Sequence, residues 1–383
     1  MENLVVHKYG GSSLSSLKKI KSIAKSLAEI SKTKSLIVVV SAMGKATDDL
    51  LNMAYTISDK PEKRELDMLL TSGERITMSL LSIALNDLGV LSVSLTGSQA
   101  GILTSDKHNS ANIVDLKPFR VSEVLKQKKV AILAGFQGVD PATKEITTLG
   151  RGGSDTTAVY LADYFKAPCE IYKDVDGVCS ADPNQFSNVT KYDKITYDEL
   201  ISMTKWGNPI LHKDCIKLAK EKKINLKIKK SLSKNTGTQI VFNKDKTNSE
   251  CVSVEFHTSV FCIKKSDIKN YRSIKEKEKL FTLYDLFKGS DNLLVTGESS
   301  DLQYLKKSLK TNASDLSTVS FIFSNKDSDK NKIDLTNYLS KQFPSITDWI
   351  KEDLSLTVVI NASLKNEVLK SSALFLKDYN LGR

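Results

Sequence analysis

The chain has 383 residues, of which 40% are hydrophobic and 26% are charged, and its formal net charge is +11. This length exceeds the size at which a single core usually stops growing, so we expect two or three domains. No apolar run is long enough to span a bilayer, and the first ten residues lack the layout of a signal peptide, which predicts a cytoplasmic protein without a membrane segment. The five cysteines contain no Cys-x-x-Cys pair and the four histidines are scattered, which favours neither a disulfide framework nor a metal site.

The positive charge is concentrated in one window. Twelve lysines and three acidic residues lie between Lys205 and Lys246, whereas the rest of the chain is nearly balanced. The window has no arginine, and its two aromatic residues do not alternate with the lysines as a base-stacking surface requires. We therefore predict no nucleic-acid partner. The window is interpreted as a solvated face, with a polyanion site such as one for ATP phosphates as the alternative.

Strand and helix patterns alternate through the first 245 residues. "NLVVHKY" and "SLIVVV" are short apolar runs, and between them Ile20, Ile23, Ala24, Leu27 and Ile30 fall on one helical face. Further strands are predicted at "VLSVSL", "VAILAGF", "EIYKDV" and "INLKI". The alternation predicts an α/β fold with a mainly parallel sheet sandwiched by helices, whose ligand sites lie at the carboxyl ends of the strands.

The composition changes near residue 245. Fifteen of the 18 glycines precede this point, and the chain after it is rich in Ser, Lys, Asn and Leu. Strands are predicted there at "VSVEF", "NLLVTG", "VSFIFS" and "LTVVINA" between short helices, and "SNKDSDKNK" is predicted to be a loop. We therefore predict one domain over residues 1–245 and a second, α+β domain over residues 246–383.

Two glycine-rich loops precede predicted helices. "HKYGGSS" follows the first strand and provides an anion cradle at a helix entry, with Lys8 beside it. "TLGRGGSDTTA" leads into a helix whose apolar face continues through Ala158, Leu161, Ala162 and Phe165. A helix N-terminus with an arginine beside it suits a carboxylate or a phosphate. The alternative for this second loop is a glycine-rich turn capped by a serine or an aspartate.

Other strand ends carry polar residues. "SAMGKAT" follows the second strand, "TSGERI" is predicted to bring Glu74 and Arg75 to the start of a helix, and "KDVDGV" places Asp174 and Asp176 at another strand end. Two anion sites, a lysine and several carboxylates are what phosphoryl transfer between two anions requires. Structural alternatives stay open for single residues, because Glu74 could interact with a helix dipole and Asp176 could belong to a turn.

The motifs "KYGGSS", "SAMGKAT", "TSGE", "GFQG", "TLGRGGSDTTA" and "DVDGV", in this order, closely resemble the signature of the aspartate kinases within the amino acid kinase family. The resemblance covers about residues 3–245. It implies the amino acid kinase fold and transfer of the ATP γ-phosphate to the side-chain carboxylate of L-aspartate, which gives 4-phospho-L-aspartate. That reaction is the first step toward lysine, threonine, methionine and diaminopimelate, and it implies ATP and Mg²⁺.

The resemblance also implies roles for individual residues. Lys8 and Asp155 would be catalytic, with Lys8 stabilising the transferring phosphoryl group. Arg151 would bind the α-carboxylate of aspartate, and Glu74 or Asp155 would lie near its amino group. The remaining residues implied to bind the substrate are Thr47, Phe136, Gly152, Gly153 and Ser154. Those implied to bind ATP, besides Lys8, are Tyr9, Gly10, Gly11, Ser12, Ser41, Lys173, Asp174, Cys179, Asp182 and Asn184.

The chain departs from the family pattern at two places. Asn184 stands where the family usually has an arginine, and Pro209 stands where it usually has a lysine, so both changes remove a cation from the nucleotide side. They motivate one alternative, a non-catalytic relative that binds an amino acid and acts as a regulatory or scaffolding subunit. The alternative among enzymes is another amino acid kinase, for example one acting on glutamate. Relatives of this length typically carry paired ACT regulatory domains that build a homodimer, which implies a divergent ACT-like region after residue 245.

Overall fold

The computed structural model describes residues 3–181, 183, 189–205, 210–243, 251–264, 281–285, 292–297, 316–323, 329–346 and 348–378. The chain divides into two compact units. The first comprises Met1–Val178, Lys191–Tyr197 and Ile210–Asn243, and the second comprises Cys179–Thr190, Asp198–Pro209 and Lys244–Arg383. Two segments of the predicted first domain thus belong to the second unit. The predicted boundary at residue 245 lies outside the described residues and stays a prediction.

The first unit is built on an eight-stranded sheet and a four-stranded sheet. Its strands are β1 (Leu4–Tyr9), β2 (Ser35–Val40), β3 (Ser92–Leu95), β4 (Ile102–Thr104), β5 (Ile113–Leu116), β6 (Val130–Ala134), β7 (Gln137–Val139), β8 (Ile146–Thr148), β9 (Cys169–Lys173), β10 (Lys194–Thr196), β11 (Leu226–Lys230) and β12 (Thr238–Val241). Its helices are α1 (Leu17–Ser31), α2 (Ala46–Ile57), α3 (Lys63–Asp87), α4 (Phe119–Lys126), α5 (Gly153–Phe165) and α7 (Lys213–Glu221), while α6 (Tyr197–Lys205) begins in this unit.

The large sheet has the strand order β10-β12-β11-β9-β1-β2-β6-β3. The six strands from β11 to β3 are parallel, and β12 pairs with β11 in the antiparallel direction. β1 is buried along its whole length, which requires cover on both faces. The small sheet has the order β5-β4-β7-β8. The predicted parallel sheet sandwiched by helices is confirmed.

Helices α1 and α3 cover one face of the sheet, and α5 covers the other. Val5 and Tyr9 of β1 share a core cluster with Ile23 of α1 and with Leu81 and Leu85 of α3. Alternate residues of a strand point to opposite faces, so Lys8 faces α5. The alternation of β1 therefore gives an apolar core on one face and a charged position on the other.

Helix α3 corrects one prediction. Glu74 and Arg75, predicted at a helix start, lie in the middle of the 25-residue α3. The prediction is wrong because Gly73 serves close packing and does not end a helix: a Cβ at this position would lie 2.8 Å from the Cβ of Ala42. The buried face of α3 continues through this point, which keeps Glu74 inside the protein.

The second unit contains a six-stranded sheet. Its strands are β13 (Cys251–Lys264), β14 (Phe281–Asp285), β15 (Asn292–Gly297), β16 (Leu316–Phe323), β17 (Asp348–Lys351) and β18 (Ser355–Asn361), and its helices are α8 (Asp329–Gln342) and α9 (Lys365–Asp378). The order is β14-β15-β13-β16-β18-β17, and the described strands of this sheet all pair in the antiparallel direction.

Leu335 and Leu339 of α8 and Val368 of α9 pack on one face of this sheet, against Phe321 and Val358. The predicted α+β architecture is confirmed. The predicted loop at 324–332 is wrong in its last four residues, which begin α8; residues 324–328 lie outside the described residues. Among the described residues, none of the helices combines the length and the apolar character that a membrane span needs.

Two substitutions in α3 test the assigned core. Leu81 is fully buried, whereas Ile83 is 64% exposed in the same helix. We expect Leu81→Ala to lower the free energy of unfolding by about 2–5 kcal/mol, because it removes buried methyl groups and leaves a cavity. Ile83→Ala should change it by about 0.5 kcal/mol or less. Denaturant unfolding of both variants measures the difference, and equal losses would contradict the assigned packing.

Candidate active site

Loops meet at the carboxyl edge of the large sheet. In the parallel register Tyr9 lies beside both Val40 and Tyr172, and Val40 lies beside Ala134. Backbone hydrogen bonds continue past these strand ends, with Ser41 N donating to the Tyr9 carbonyl at 3.1 Å. The loops after β1, β2, β6 and β9 therefore start at one level, as the strand-end rule predicts.

A cluster of three charged side chains, of which two are buried and one is partly exposed, lies at this edge. Lys8 Nζ is 2.7 Å from Asp155 Oδ1, and both side chains are about 5% exposed. Lys173 Nζ, at the end of β9, is 3.1 Å from Asp155 Oδ2. Asp155 stands in the first turn of α5, where the helix dipole also favours a carboxylate. We call Lys8, Asp155 and Lys173 the ion cluster.

The ion cluster fixes the protonation of Asp155. Burial acts to raise the pKa of this carboxyl group, but the ammonium groups of Lys8 and Lys173 outweigh it and lower the pKa to about 2. Burial lowers the pKa of Lys8 from its ordinary value, and Asp155 opposes that effect. Asp155 is therefore an anion at neutral pH that neutralises only one of its two cationic neighbours.

The glycine loop after β1 lies directly beside Lys8. A Cβ on Gly10 would be 3.7 Å from Lys8 Nζ, and a Cβ on Gly11 would be 2.8 Å from the Ala42 carbonyl oxygen. Gly44 N donates to the Gly11 carbonyl at 3.0 Å, which joins this loop to the loop after β2. A Cβ would therefore be in ordinary contact at Gly10, whereas the position of Gly11 requires glycine.

Glu74 contributes a second buried carboxyl group. Its Oε1 accepts a hydrogen bond from Ala42 N at 3.0 Å. Its Oε2 is buried and has no hydrogen-bond partner among the described residues. Burial raises the pKa of Glu74 to about 7, while the Ala42 N–H and the charge of Lys8 oppose the rise. An unpaired, buried carboxylate oxygen favours a cationic or hydrogen-bonding ligand group.

The glycine loop before α5 has the conformation that a helix entry needs. Gly152 is the N-cap residue with a φ of 72°, and it makes no side-chain cap hydrogen bond. A Cβ there would collide with His212, and a Cβ on Gly153 would lie 3.2 Å from the Cα of Phe136. Because Ser154 and Asp155 lie inside the helix, the alternative of a turn capped by either residue is wrong.

The other predicted site residues are placed as follows. Arg151 is exposed in the loop before α5, Phe136 is half-buried with a φ of 70°, and Thr47 lies in the first turn of α2. Ser154 packs closely on Gly135, the residue that follows β6. A Cβ on Gly135 would lie 2.7 Å from the Cβ of Ser154.

The residues predicted to bind ATP differ in their exposure and do not all belong to the first unit. The ring of Tyr9 stacks on Tyr172 at 4.5 Å in the core, and the Tyr9 carbonyl accepts a hydrogen bond from Ser41 N. Ser12 and Asp174 are exposed, and Ser41 is half-buried. Cys179 is half-buried and belongs to the second unit. Asp182, Asn184 and Pro209 lie outside the described residues.

Three contacts at this edge do not follow from the motifs. Lys19 Nζ donates to the Ser12 carbonyl at 2.8 Å, His212 packs on Gly152, and the Ala42 N–H fixes Glu74. The lysine could be found from its place in the first turn of the helix that follows the loop. The other two arise from folding and have no local sequence signal.

Part of the lysine-rich window forms ion pairs within the first unit. Lys222 Nζ lies 3.2 Å from Asp163 Oδ2, and Lys229 Nζ lies 3.1 Å from Glu170 Oε2. Lys205, in the second unit, pairs with Glu352. These three lysines are therefore already engaged by carboxylates, and the interpretation of the window as a solvated face stays a prediction.

The amino acid kinase family model matches residues 3–230, which is more than half of the chain. The chain belongs to the amino acid kinase family. Its ion cluster and both glycine loops lie within the matched residues.

Curated relatives are aspartokinases. The aspartokinase of Corynebacterium glutamicum is 46% identical over 239 residues, which are 62% of this chain and 57% of that protein. Aspartokinase 2 of Bacillus subtilis is 46% identical over 239 residues, covering 62% and 58% of the two chains. That of Geobacillus stearothermophilus is 42% identical over 259 residues, covering 67% and 61%. The aligned part thus spans less than two thirds of each relative.

Solved structures share the fold over nearly the whole chain. E. coli aspartokinase III in complex with aspartate and ADP matches with a TM-score of 0.76 at 18% identity, covering 96% of this chain and 98% of that one. Clostridium acetobutylicum aspartate kinase matches with a TM-score of 0.70 at 19% identity, covering 98% and 100%. The amino acid kinase fold with an additional C-terminal α+β region is therefore shown.

Removal of the shared carboxylate tests the ion cluster. Asp155→Asn leaves the buried ammonium group of Lys8 without an anion, and we expect it to lower the free energy of unfolding by about 3–5 kcal/mol at neutral pH. Asp163→Asn is the matched control in the same helix, because its partners Lys166 and Lys222 are exposed. The control should cost about 1 kcal/mol or less. Similar losses in urea unfolding would contradict a special role for the buried cluster.

Proposed function

We propose that this protein is an aspartate kinase, which transfers the γ-phosphate of ATP to the side-chain carboxylate of L-aspartate. The observation that carries the proposal is the ion cluster between two glycine loops at the carboxyl edge of the sheet. Phosphoryl transfer needs little covalent chemistry from a protein. It needs two anions held in line and charge stabilisation of the moving group.

On the nucleotide side, Lys8 is the cation for the transferring phosphoryl group. Its ammonium lies beside Gly10, whose main chain a phosphate could approach closely. The other groups proposed to bind ATP are the main chain of Tyr9, Gly11, Ser12, Ser41, Lys173, Asp174, Cys179, Asp182 and Asn184. Asp155 would hold both lysines in place, and its low pKa keeps it charged while it does so.

On the amino acid side, Arg151 is proposed to pair with the α-carboxylate of aspartate, since a guanidinium group matches a carboxylate with two hydrogen bonds. Glu74 is the better partner for the amino group, because both oxygens of Asp155 already face lysines whereas Glu74 Oε2 is unpaired. The remaining residues proposed to line this site are Thr47, Phe136, Gly152, Gly153 and Ser154.

The site fits a Mg²⁺ ion that arrives with the nucleotide. Among the described residues, no group of three His, Cys, Asp or Glu side chains could hold a metal by itself. Protein-bound Mg²⁺ commonly keeps several waters and binds through one or two carboxylates plus substrate phosphates. Asp174, exposed at the end of β9, is the carboxylate proposed to support it. The ion would neutralise phosphate charge during transfer.

The region after residue 245 is proposed to be a divergent ACT-like domain that regulates the enzyme and builds a homodimer. Its antiparallel sheet with two helices on one face supports that assignment. The likeness to aspartokinase III of E. coli over 96% of this chain supports it as well.

A hydroxamate assay with ATP and Mg²⁺ tests the reaction and its substrate. We expect product with aspartate, and none with glutamate or without an amino acid. Lys8→Ala should lower kcat by at least about a hundredfold, because electrostatic stabilisation of the transition state is lost. Product from glutamate alone would indicate another amino acid kinase. Binding of aspartate without turnover would indicate a non-catalytic relative.

The pKa of Glu74 predicts how aspartate use depends on pH. Only the ionised carboxylate attracts the substrate ammonium, so kcat/KM for aspartate should rise with pH until about 7 and then level off. Glu74→Gln should remove this rise and raise the aspartate KM. Glu65→Gln is the control, because Glu65 is exposed in the same helix. A pH profile of Glu74→Gln identical to that of the unaltered enzyme would exclude this role.

A further inference from the structure

A second buried carboxylate of α3 connects three parts of the first unit by hydrogen bonds. Asp67 is fully buried, and its Oδ2 lies 2.6 Å from His108 Nδ1. Its Oδ1 accepts from Thr148 Oγ1 at 2.5 Å, and both oxygens lie 3.2 Å from Asn109 N. A buried carboxylate needs several such donors, and here they come from the segment 105–112 and from the end of β8.

These donors belong to segments that shape the glycine loop before α5. Thr148 is the last residue of β8 and immediately precedes that loop. Its carbonyl accepts from Ala111 N at 2.9 Å, and a Cβ on Gly150 would lie 3.1 Å from the Asn109 carbonyl oxygen. The segment 105–112 is thus a support on which residues 148–150 rest, and Asp67 ties both to α3.

The same helix carries Glu74. Asp67 and Glu74 are seven residues apart, so they lie on one face of α3, about 10 Å apart along its axis. Both are buried, and between them the Thr71 carbonyl accepts a hydrogen bond from Gln137 Nε2 at 3.2 Å. Helix α3 therefore fixes the two sides of the proposed amino acid pocket, with Glu74 directly and the Arg151 loop through Asp67.

We propose that Asp67 is a positioning residue for amino acid binding: through Thr148, Asn109 and His108 it sets the Arg151 loop at a fixed distance from Glu74. It does not touch the substrate. Loosening of its contacts moves the group that binds the α-carboxylate, and leaves Lys8 and the nucleotide loops in place. The proposal rests on the proposed function, since it takes aspartate as the ligand.

The last two residues of β8 offer a matched pair of variants. Thr148 donates to Asp67, whereas Thr147 donates to Thr104 Oγ1 at 2.6 Å, and both threonines are buried. Replacement of either by valine removes one buried hydrogen bond and nearly conserves volume. A merely structural role for Thr148 predicts equal effects of the two changes on thermal stability and on kinetics.

We expect Thr148→Val to raise the aspartate KM about five- to tenfold, because a hydrogen bond to a charged group is lost. Its kcat and its KM for ATP should stay within about twofold of those of the unaltered enzyme, because the substitution leaves the phosphate site untouched. Thr147→Val should change none of these constants. Thr148→Ser, which keeps the hydroxyl group, should restore the aspartate KM.

Asp67→Asn gives a second measurement if it folds, with a larger rise in the aspartate KM than Thr148→Val. Equal aspartate KM values for Thr147→Val and Thr148→Val in an active enzyme would overturn the positioning role. An unaltered enzyme that does not phosphorylate aspartate would instead refute the proposed function, so the two failures are distinguishable. A fall in kcat alone in Thr148→Val would also contradict the proposal.

Discussion

The site depends on a buried lysine and a buried aspartate that pair at the end of the central strands, with a second, partly exposed lysine beside them. Burial of a charge is costly unless a partner and hydrogen bonds compensate for it. Asp155 meets this requirement for both Lys8 and Lys173, yet one negative charge cannot neutralise two positive ones. The folded protein therefore keeps an excess of positive charge beside its glycine loops, and an anionic ligand would complete the compensation. Stability and ligand binding are thus coupled through one carboxylate.

The glycines allow the elements to come close enough for this cluster to form. Ser154 of α5 contacts the end of β6 only because Gly135 has no side chain, and α3 reaches Ala42 only because Gly73 has none. The first contact sets the depth of Asp155, one residue further along α5. The second brings Glu74 to the Ala42 N–H. The close approach of backbone segments at Gly135 and Gly73 therefore determines where the carboxyl groups of Asp155 and Glu74 lie.

The strands and the participating residues could be predicted from the sequence, but their pairing could not. Apolar runs predict β1 and β2, and the motif resemblance selects Lys8, Asp155 and Lys173. That Asp155 joins both lysines depends on tertiary packing of residues far apart in the chain. The continuous helix through the middle of α3 could not be predicted for a related reason. Gly73 interrupts the local helical pattern, and tertiary packing maintains the helix there. Asp67 carries only a weak signal, a carboxylate on the helical face that also carries Leu66 and Leu70.

Described helices and strands of the first unit surround Lys8 on several sides. Helices α1 and α3 pack against the side of β1 that carries Val5 and Tyr9, and α5 packs against the side that carries Lys8. Neighbouring strands β2 and β9 close both edges of β1. Among the elements that the structure describes, the carboxyl ends of the strands, beside Gly10, are therefore the side from which a phosphate would approach the Lys8 ammonium. An acceptor held between Glu74 and the Arg151 loop would enter at that same edge, so donor and acceptor would meet beside the ammonium group of a buried lysine.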